Sequence, residues 1–577
     1  MRNYIFLFLI SIRYSLLNST TAFAQNPLFI PDTLSGTVFN LKIEKGITQF
    51  FPGKNTTTFG YNGALLGPTL FMNKGDFITL HVTNTLTTPT TTHWHGLHVP
   101  AKYDGGPHQI IQTNTTWNPT FKILNNAATY WYHPHGAGKT EIQVSKGLAG
   151  LLIIRDSAEA SYNLPRKYNV DDFPLIIQSK AFDVFNQIAT ASHEDSVPMV
   201  NGTINPFLKV PKQIVRFRLL NGSTDRTYLL GLSDNANFFV IASDGGMLSQ
   251  PYSTNRLRLS VGERAEILID FGSNSIGQQK YLKSYASELP KGIIGSDSVG
   301  TSTILIQEGY YSNLLNGHDF NLLRFDVIAP TTNSITNIPS KFKPISRTSA
   351  SSATVTRNIH FSPDTVTSGI QGYVDGPFRI NNQTFNMDSI NQLIYLNDIE
   401  IWKLTNETMV AHPFHIHDVQ FFILDINGTP PSPEYAGFKD VVLVKPTDTV
   451  RFITKFDDFA DDSIPYMFHC HLLHHEDEGM MGEFLVVDTT LSSISKIDIA
   501  NTITVFPNPN SGKIQIQSFK YKINSVAIFN MLGEKTGSSS KSGYSLITDV
   551  DVLTNGIYFL NINTTKGIIT KEIIIHK

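Results

Sequence analysis

The sequence predicts an all-β protein built from several compact domains. Many short apolar runs are separated by turns rich in glycine, proline and threonine, and no long stretch has the period of about 3.6 residues that marks a helix. Hydrophobic residues make up 41% of the chain and charged residues 16%, which is typical of packed domains rather than of disordered chains. A length of 577 residues, at about 150 residues per domain, indicates three or four domains.

The first element, residues 1–24, is predicted to be a signal peptide. It has a basic start at Arg2, an apolar run over Ile5–Ile10 and a small-residue site at Ala22–Ala24. The apolar run is far shorter than the ~20 residues that a bilayer requires, and no later run is long enough either. We therefore expect an exported protein without a membrane span, secreted or held at the cell surface after transit through the periplasm.

Charge and cysteine content narrow the function further. The formal net charge is −3 and no basic block occurs, so nucleic acid is not an expected partner. Cys470 is the single cysteine, which excludes a disulfide framework. A lone cysteine is commonly an inert buried residue. Cys470, however, stands between His469 and His471, with His475 and Met480 close behind. Thiolate, imidazole and thioether together are the ligands of a blue copper site.

Four His-x-His pairs define the organisation of the chain. The pairs are His93/His95, His133/His135, His415/His417 and His469/His471. Each half of this set is followed by a similar apolar strand, Gly150–Ile154 in the first case and Gly482–Val487 in the second. The stretch between them contains no histidine cluster. Two histidine-bearing β domains are therefore expected to flank a middle domain that has no metal site of its own.

Strand geometry divides these residues between two sites. Residues i and i+2 of a strand face the same side, so both members of each pair converge. Eight buried imidazoles would lack partners in an ordinary core, whereas three metal ions would use them. Cys470 has the opposite parity to His469 and His471, and His412 the opposite parity to His415 and His417. Cys470 and His412 are therefore expected to meet at a separate metal with His475 and an axial Met480.

These motifs closely resemble those of the multicopper oxidases, a family that includes laccases, bilirubin oxidases and bacterial cuprous oxidases. The resemblance covers about residues 30–490 and rests on Thr92–Gly96, Trp131–Gly136, His412–His417 and His469–Met480, in the family's order. It implies O2 as electron acceptor and three cupredoxin-like Greek-key β-barrel domains. The implied domains are residues 25–158, 159–320 and 321–492, the last with the type 1 copper.

The resemblance also implies four copper ions and their ligands. The type 1 copper would take His412, Cys470, His475 and Met480. The type 2 copper would take His93 and His415. The pair of type 3 coppers would take His95, His133, His135, His417, His469 and His471.

Two carboxylates are candidate catalytic residues, because reduction of O2 consumes protons. Asp104 matches a family acid near the type 2 copper, and Glu476 matches one on the oxygen side. Taken alone, an aspartate before Gly-Gly is usually a turn former, and a glutamate in an acidic run is usually solvated. Asp440 is a weaker candidate for accepting a hydrogen bond near the ligands. Among the other histidines, His98 and His108 are expected in loops or at the surface, and His474 as an exposed neighbour.

The electron donor is predicted from methionine content. The motif wording is closest to the cuprous oxidase branch, which carries a methionine-rich insert over the type 1 site. This chain has no methionine between Met247 and Met387, and thioethers are what would recruit Cu(I). A laccase-like oxidation of phenols and aromatic amines is therefore favoured over oxidation of Cu(I) or Fe(II). A non-catalytic copper-binding protein is disfavoured because the implied ligand set is complete.

The tail, residues 500–577, is predicted to be a separate β-sandwich. It resembles the C-terminal sorting domain of type IX secretion in Pro507–Gly512, Asn555–Phe559 and Lys571–Lys577. The resemblance implies recognition by the secretion machinery. A carbohydrate- or protein-binding β module is the alternative.

Overall fold

The computed structural model describes residues 25–190, 194–299, 310–363, 376–488, 502–539, 541–565 and 567–577. The predicted signal peptide lies outside the described residues. The chain divides into two compact units, Met1–Val486 and Val487–Lys577. Strands dominate both units, which confirms the all-β prediction. In the described part the α-helices are short: Thr140–Ser145, Ser157–Ala160 and Leu473–Asp477. None of the described helices has the length and apolar character needed to cross a bilayer.

The first region of the larger unit contains two sheets that enclose a hydrophobic core. One sheet has the order Thr33–Ser35, Thr69–Asn73, Gly150–Arg155, Ala128–His133, His93–His95. The other has the order Lys54–Tyr61, Val38–Phe51, Phe77–Asn84, Thr116–Trp117, with Thr120–Lys122 also paired to Phe77–Asn84. Alternation along the strand explains the packing, since Phe39, Leu41 and Ile43 are buried while the residues between them face solvent.

The middle region contains two larger sheets around a core of its own. One has the order Asn26–Pro27, Pro206–Pro211, Phe320–Ile328, Gln279–Ser284, Tyr228–Leu232, Leu257–Leu259. The other has the order Thr203–Ile204, Val197–Val200, Asp172–Phe182, Ile214–Asn221, Arg264–Asp270, Phe238–Ser243, Gly246–Thr254, with Ile188–Ala189 paired to Asp172–Phe182. The short strand Asn26–Pro27 therefore belongs to this sheet, although it precedes the first region in sequence.

The third region repeats the two-sheet plan. One sheet has the order Phe378–Ile380, Val355–Pro363, Ile399–Asn406, Thr449–Lys455, Phe421–Ile426. The other has the order Gln392–Tyr395, Met481–Val487, Tyr466–Cys470, His412–Ile416, Val441–Val444. Cys470 and Met480 lie in the core between these sheets, among aromatic side chains such as Phe414 and Phe468.

The smaller unit is a separate two-sheet structure. Its sheets have the orders Ile503–Phe506, Lys513–Ser518, Ser545–Asp549 and Lys535–Ser539, Ile523–Phe529, Gly556–Thr564, Gly567–Ile575. Isoleucine, leucine and valine side chains from both sheets form its core. This agrees with the small β-sandwich predicted for the tail.

Candidate metal centre

Two antiparallel strand pairs present the histidines. His93 pairs with His133, and His95 with Trp131, across neighbouring strands of the first region. In the third region His415 pairs with His469, and Phe414 with Cys470. Because successive side chains of a strand point to opposite faces, His415 and His469 point away from the core of the third region, while Cys470 points into it. The eight paired imidazoles meet between the first and third regions, and each is at most 1% exposed.

Six of these imidazoles form two groups of three. In one group Nδ1 of His95 lies 3.4 Å from Nε2 of His133 and 3.3 Å from Nε2 of His471. In the other, Nε2 of His135 lies 3.1 Å from Nε2 of His417 and 3.0 Å from Nε2 of His469. Imidazole nitrogens that converge on one point are ligands suited to copper. Each group could therefore hold one metal ion.

His93 and His415 have a different arrangement. Nδ1 of His93 donates to the backbone oxygen of Asp104, and Nδ1 of His415 donates to that of Asp440, both at 2.8 Å. These hydrogen bonds fix each ring and leave Nε2 as the free lone pair. Both Nε2 atoms are buried and have no hydrogen-bond partner among the described residues. Orphaned polar atoms at this depth are costly unless a ligand satisfies them, so the pair fits a third metal.

The second site lies inside the third region. Sγ of Cys470 is 3.4 Å from Nδ1 of His412 and 3.6 Å from Nδ1 of His475. Met480 is fully buried in the same core. Thr408 Oγ1 lies 2.8 Å from Nε2 of His412 and so fixes the orientation of that ring. Burial raises the pKa of the Cys470 thiol well above its ordinary value in the metal-free protein. Metal binding would remove that proton.

The two predicted acids contact the rings of the larger cluster. Asp104 Oδ2 lies 2.6 Å from Nδ1 of His417. Glu476 lies between two other rings, with Oε1 3.4 Å from Nδ1 of His135 and Oε2 3.2 Å from Nδ1 of His469. Burial raises the pKa of Glu476, but the surrounding imidazoles hold it well below its ordinary range. The carboxylate is therefore ionised and lies beside the Nδ1 atoms of both rings.

Thr140 and Asp477 support Glu476, although their place in the motifs did not identify this role for either. The Thr140 hydroxyl donates to Glu476 Oε1 at 2.7 Å. The Asp477 carboxylate accepts from the backbone N–H groups of Thr140 and Glu141, at 3.0 and 2.9 Å. The start of the helix Thr140–Ser145 is thereby tied to the helix Leu473–Asp477, and this linkage holds Glu476 in place.

Asp440 is held by the middle region, which carries none of the clustered ring nitrogens. Both terminal guanidinium nitrogens of Arg264 donate to its carboxylate at 2.6 Å. The same carboxylate lies 3.2 Å from Nε2 of His95. All three side chains are fully buried. The middle region therefore fixes the orientation of one imidazole of the cluster through a buried ion pair.

We expect Arg264→Met to destabilise the protein strongly. Removing one member of a buried pair leaves an uncompensated charge, at a cost of about 3–5 kcal/mol. Thermal unfolding of the metal-free protein measures the loss. Arg256→Met is the matched control, because its partner Glu288 is 45% exposed and such surface pairs contribute about 0–1 kcal/mol. Equal decreases in Tm for the two variants would contradict the role of Arg264.

Burial keeps most of the clustered imidazoles neutral in the metal-free protein. It lowers the pKa of three of them to about 3, and neighbouring groups modify this effect: His135, His412 and His471. Burial and neighbouring imidazoles lower the pKa of four others well below the ordinary value: His95, His133, His415 and His417. Neutral imidazole is the form that binds metal.

We expect the metal-free protein to lose stability as the pH falls below about 6.5. The unfolded state then protonates these seven imidazoles and the folded state does not, at up to about 1.4 kcal/mol per pH unit for each. Three carboxyl groups act in the opposite direction, but they are three against seven: burial and Glu476 raise the pKa of Asp477 to about 7, and burial raises the pKa of Asp171 and Asp418. Thermal unfolding between pH 7 and pH 4 measures the effect. A Tm that stays constant or rises on acidification would contradict it.

The structure partly corrects the predictions for the remaining histidines. His474 is not an exposed neighbour, because its side chain is 12% exposed and its Nδ1 lies 2.7 Å from Asp225 Oδ1. His98 follows the predicted loop position but is also mostly buried, with Nδ1 2.7 Å from Asp418 Oδ1. His108 is at the surface, as predicted, and contacts the buried Glu483. The partners of these histidines are distant in sequence, so no spacing pattern identified them.

Comparison with known proteins assigns the family. Models described as multicopper oxidase match residues 42–159, 182–308 and 346–490. A model described as a secretion system C-terminal sorting domain matches residues 504–576.

Two curated relatives and one solved structure are similar over most of the chain. The multicopper oxidase mco of Staphylococcus haemolyticus is 34% identical over 78% of this chain and 88% of its own. The cell division protein FtsP of Escherichia coli is 31% identical over 82% of this chain and 94% of its own. The laccase-like multicopper oxidase CueO of Ochrobactrum sp., described as having oxidase activity towards lignin model compounds and lignosulfonate, superposes with a TM-score of 0.70 at 34% identity, covering 80% of this chain and 100% of its own.

These similarities confirm the copper-dependent oxidoreductase class, in which O2 and a reducing substrate are the reactants. They also confirm the sorting domain at the C-terminus, which indicates export or display at the cell surface. The chain belongs to the multicopper oxidase family.

Proposed function

We propose that the protein is a laccase-like oxidase with four copper ions. A type 1 copper is bound by His412, Cys470, His475 and Met480, and a type 2 copper by His93 and His415. Two type 3 coppers are bound by His95, His133, His135, His417, His469 and His471. The observation that carries the proposal is the buried convergence of ring nitrogens, including two Nε2 atoms that no described residue satisfies.

Bound copper supplies one-electron oxidation of the donor at the type 1 site and four-electron reduction of O2 to water at the other three ions. The chain contributes a short electron path between them. Cys470 Sγ belongs to one site, while its neighbours His469 and His471 belong to the other. Nδ1 of His469 also lies 3.0 Å from the backbone oxygen of Cys470, which shortens the path through a hydrogen bond.

The chain also relays protons to the cluster and buries the ring nitrogens. Asp104 and Glu476 are the proposed catalytic acids, because each contacts rings of the cluster and is at most 2% exposed. Thr140 holds Glu476 by a hydrogen bond, and the packed first and third regions enclose the cluster. These carboxylates can hold a proton beside the rings and pass it inward.

Phenols and aromatic amines are the proposed donors. The lignin-related activity of the Ochrobactrum relative and the methionine-free stretch between Met247 and Met387 support this class. Oxidation of Cu(I) or Fe(II) is the second candidate, and one observation favours it. His412 and His475 are both fully buried, and the Phe378 ring packs 4.8 and 4.6 Å from them. A bulky donor cannot contact either imidazole while Phe378 stays in place.

Oxygen uptake by the copper-loaded protein tests the proposal. A panel of phenols, aromatic amines, Cu(I) and Fe(II) is supplied to the wild type and to Phe378→Ala. We expect uptake with phenols, and a larger rate increase in the variant for bulky phenols than for metal ions. Uptake with metal ions alone would favour the second candidate. The absence of uptake with every donor would favour a non-catalytic role.

Export is proposed to use both ends of the chain. Residues 1–24 serve as the signal peptide, and residues 500–577 are recognised by the secretion machinery. Deletion of the tail is expected to retain the oxidase inside the cell envelope, and fractionation measures this. Normal secretion without the tail would favour a binding module instead.

A further inference from the structure

A second acid–imidazole pair connects solvent with the interface between the first and third regions. Glu483 is completely buried, and its Oε1 lies 2.6 Å from Nε2 of His108, whose side chain is 25% exposed. The other oxygen, Oε2, is buried and has no hydrogen-bond partner among the described residues. A carboxylate at this depth with one unsatisfied oxygen is costly. A buried carboxylate at this position therefore indicates a role for Glu483 beyond packing.

The pair lies beside the loop that carries Asp104. Glu483 is directly opposite Met467 on neighbouring strands, and the Met467 backbone oxygen accepts from the N–H of His417 at 3.0 Å. A Cβ atom on Gly106 would lie 3.4 Å from Met467 Cγ and 3.8 Å from Asp104 Oδ2. The loop therefore packs Gly106 between the Asp104 carboxylate and the cross-strand neighbour of Glu483.

The loop places Asp104 and His108 at different depths. Asp104, at the inner end, contacts His417, and its Oδ1 is buried without a hydrogen-bond partner among the described residues. His108, four residues later, reaches solvent and contacts Glu483. Both carboxylates thus have a buried oxygen without a hydrogen bond among the described residues, and Gly106, which has no side chain, lies next to Asp104 and to the cross-strand neighbour of Glu483. This is the arrangement expected where water molecules carry protons between acids.

From this geometry we infer that His108 and Glu483 form a proton port for the oxygen-reducing cluster. The inference rests on the proposed function. The reduction of one O2 to two waters takes four electrons from the donor and four protons from solvent. His108 takes a proton from solvent and passes it to Glu483. Glu483 releases it inward towards Asp104 through water. The pair returns to its starting state after each proton, so it supplies no net atoms or charge.

A second connection from the surface is the alternative route. His98 contacts the buried Asp418 at 2.7 Å and the exposed Asp458 at 3.4 Å. In the part of the chain that the structure describes, Oε1 of Glu483 has a hydrogen-bond partner in His108, and Oε2 has none. The unsatisfied oxygen favours the Glu483 route, because it provides an acceptor for inward-facing water.

The test compares Glu483→Gln, His108→Ala and His98→Ala with His81→Ala in the copper-loaded full chain. His81 is the matched control, because it lies on the strand Phe77–Asn84 and contacts Asn118, and neither residue belongs to the proposed port. Copper content and the visible spectrum are measured first. Three measurements follow. Oxygen uptake is measured with a fast donor, and an indicator dye reports the protons that the reduced enzyme takes up during reoxidation. Rescue of turnover by free imidazole is then tested. In the metal-free protein, the ¹⁵N resonance of His108 Nε2 is compared between the wild type and Glu483→Gln.

We expect Glu483→Gln and His108→Ala to slow turnover by roughly 10²-fold, the lower range for acid–base groups, with copper content and spectrum unchanged. Proton uptake should lag, and imidazole should restore His108→Ala but not Glu483→Gln. The His108 resonance should shift in Glu483→Gln.

Three results would each overturn the inference of a proton port. They are wild-type rates in both Glu483→Gln and His108→Ala, loss of copper or of the visible spectrum in these variants, and slowing that is confined to His98→Ala. Absence of oxygen uptake by the wild type would instead overturn the proposed function, on which the port rests.

Discussion

Cys470→Ser is expected to abolish the blue absorption of the protein and to reduce turnover to background. The serine hydroxyl cannot supply the thiolate on which the blue copper site depends. It also interrupts the path from the type 1 site to His469 and His471. Visible absorption and oxygen uptake measure the two losses on the same sample.

The cluster between the first and third regions should survive this change. Its ring nitrogens come from other residues, so three copper ions are expected to remain bound. Metal analysis distinguishes this from unfolding. Retention of the blue absorption in Cys470→Ser would contradict the assignment of the sulfur.

Glu476→Gln is expected to slow turnover by roughly 10²–10⁴-fold with a fast electron donor, the range for loss of a positioned acid–base group. The amide keeps the shape of the side chain and its contact with Thr140, but it cannot take up or release protons as a carboxyl group does. Copper content and the blue absorption should stay at wild-type levels. Steady-state oxygen uptake measures the loss.

Glu478→Gln is the matched control for this prediction. It lies two residues away on the same acidic segment but is exposed, so its turnover should remain close to that of the wild type. Equal slowing in both variants would indicate a general effect of charge near the type 1 site. Wild-type turnover in Glu476→Gln would exclude its role as a proton donor.

Local strand periodicity explains why the grouping of the candidate ligand side chains could be predicted. The i, i+2 alternation of strands placed His415 and His469 on one face and Cys470 on the other, and the structure has this arrangement. The four motifs provided all the candidate ligands because each motif is contiguous in sequence. The small β-sandwich of the tail was likewise predicted from contiguous turn and strand patterns.

The supporting contacts could not be predicted, because they join residues far apart in sequence. Arg264 and Asp440 are 176 positions apart and lie in different regions. His108 and Glu483 are 375 positions apart. The burial of His474 depends on Asp225 from the middle region. Tertiary packing alone brings these groups together, and no local pattern reports it.

The stoichiometry of oxygen consumption tests whether Cys470 joins a type 1 copper site to a three-copper cluster. A type 1 site joined through Cys470 to a three-copper cluster should consume one O2 for every four one-electron donor equivalents. Hydrogen peroxide should not accumulate. An oxygen electrode with a limiting amount of a phenolic donor, followed by a peroxide assay, gives both values. One O2 for every two donor equivalents, with peroxide as the product, would contradict the account.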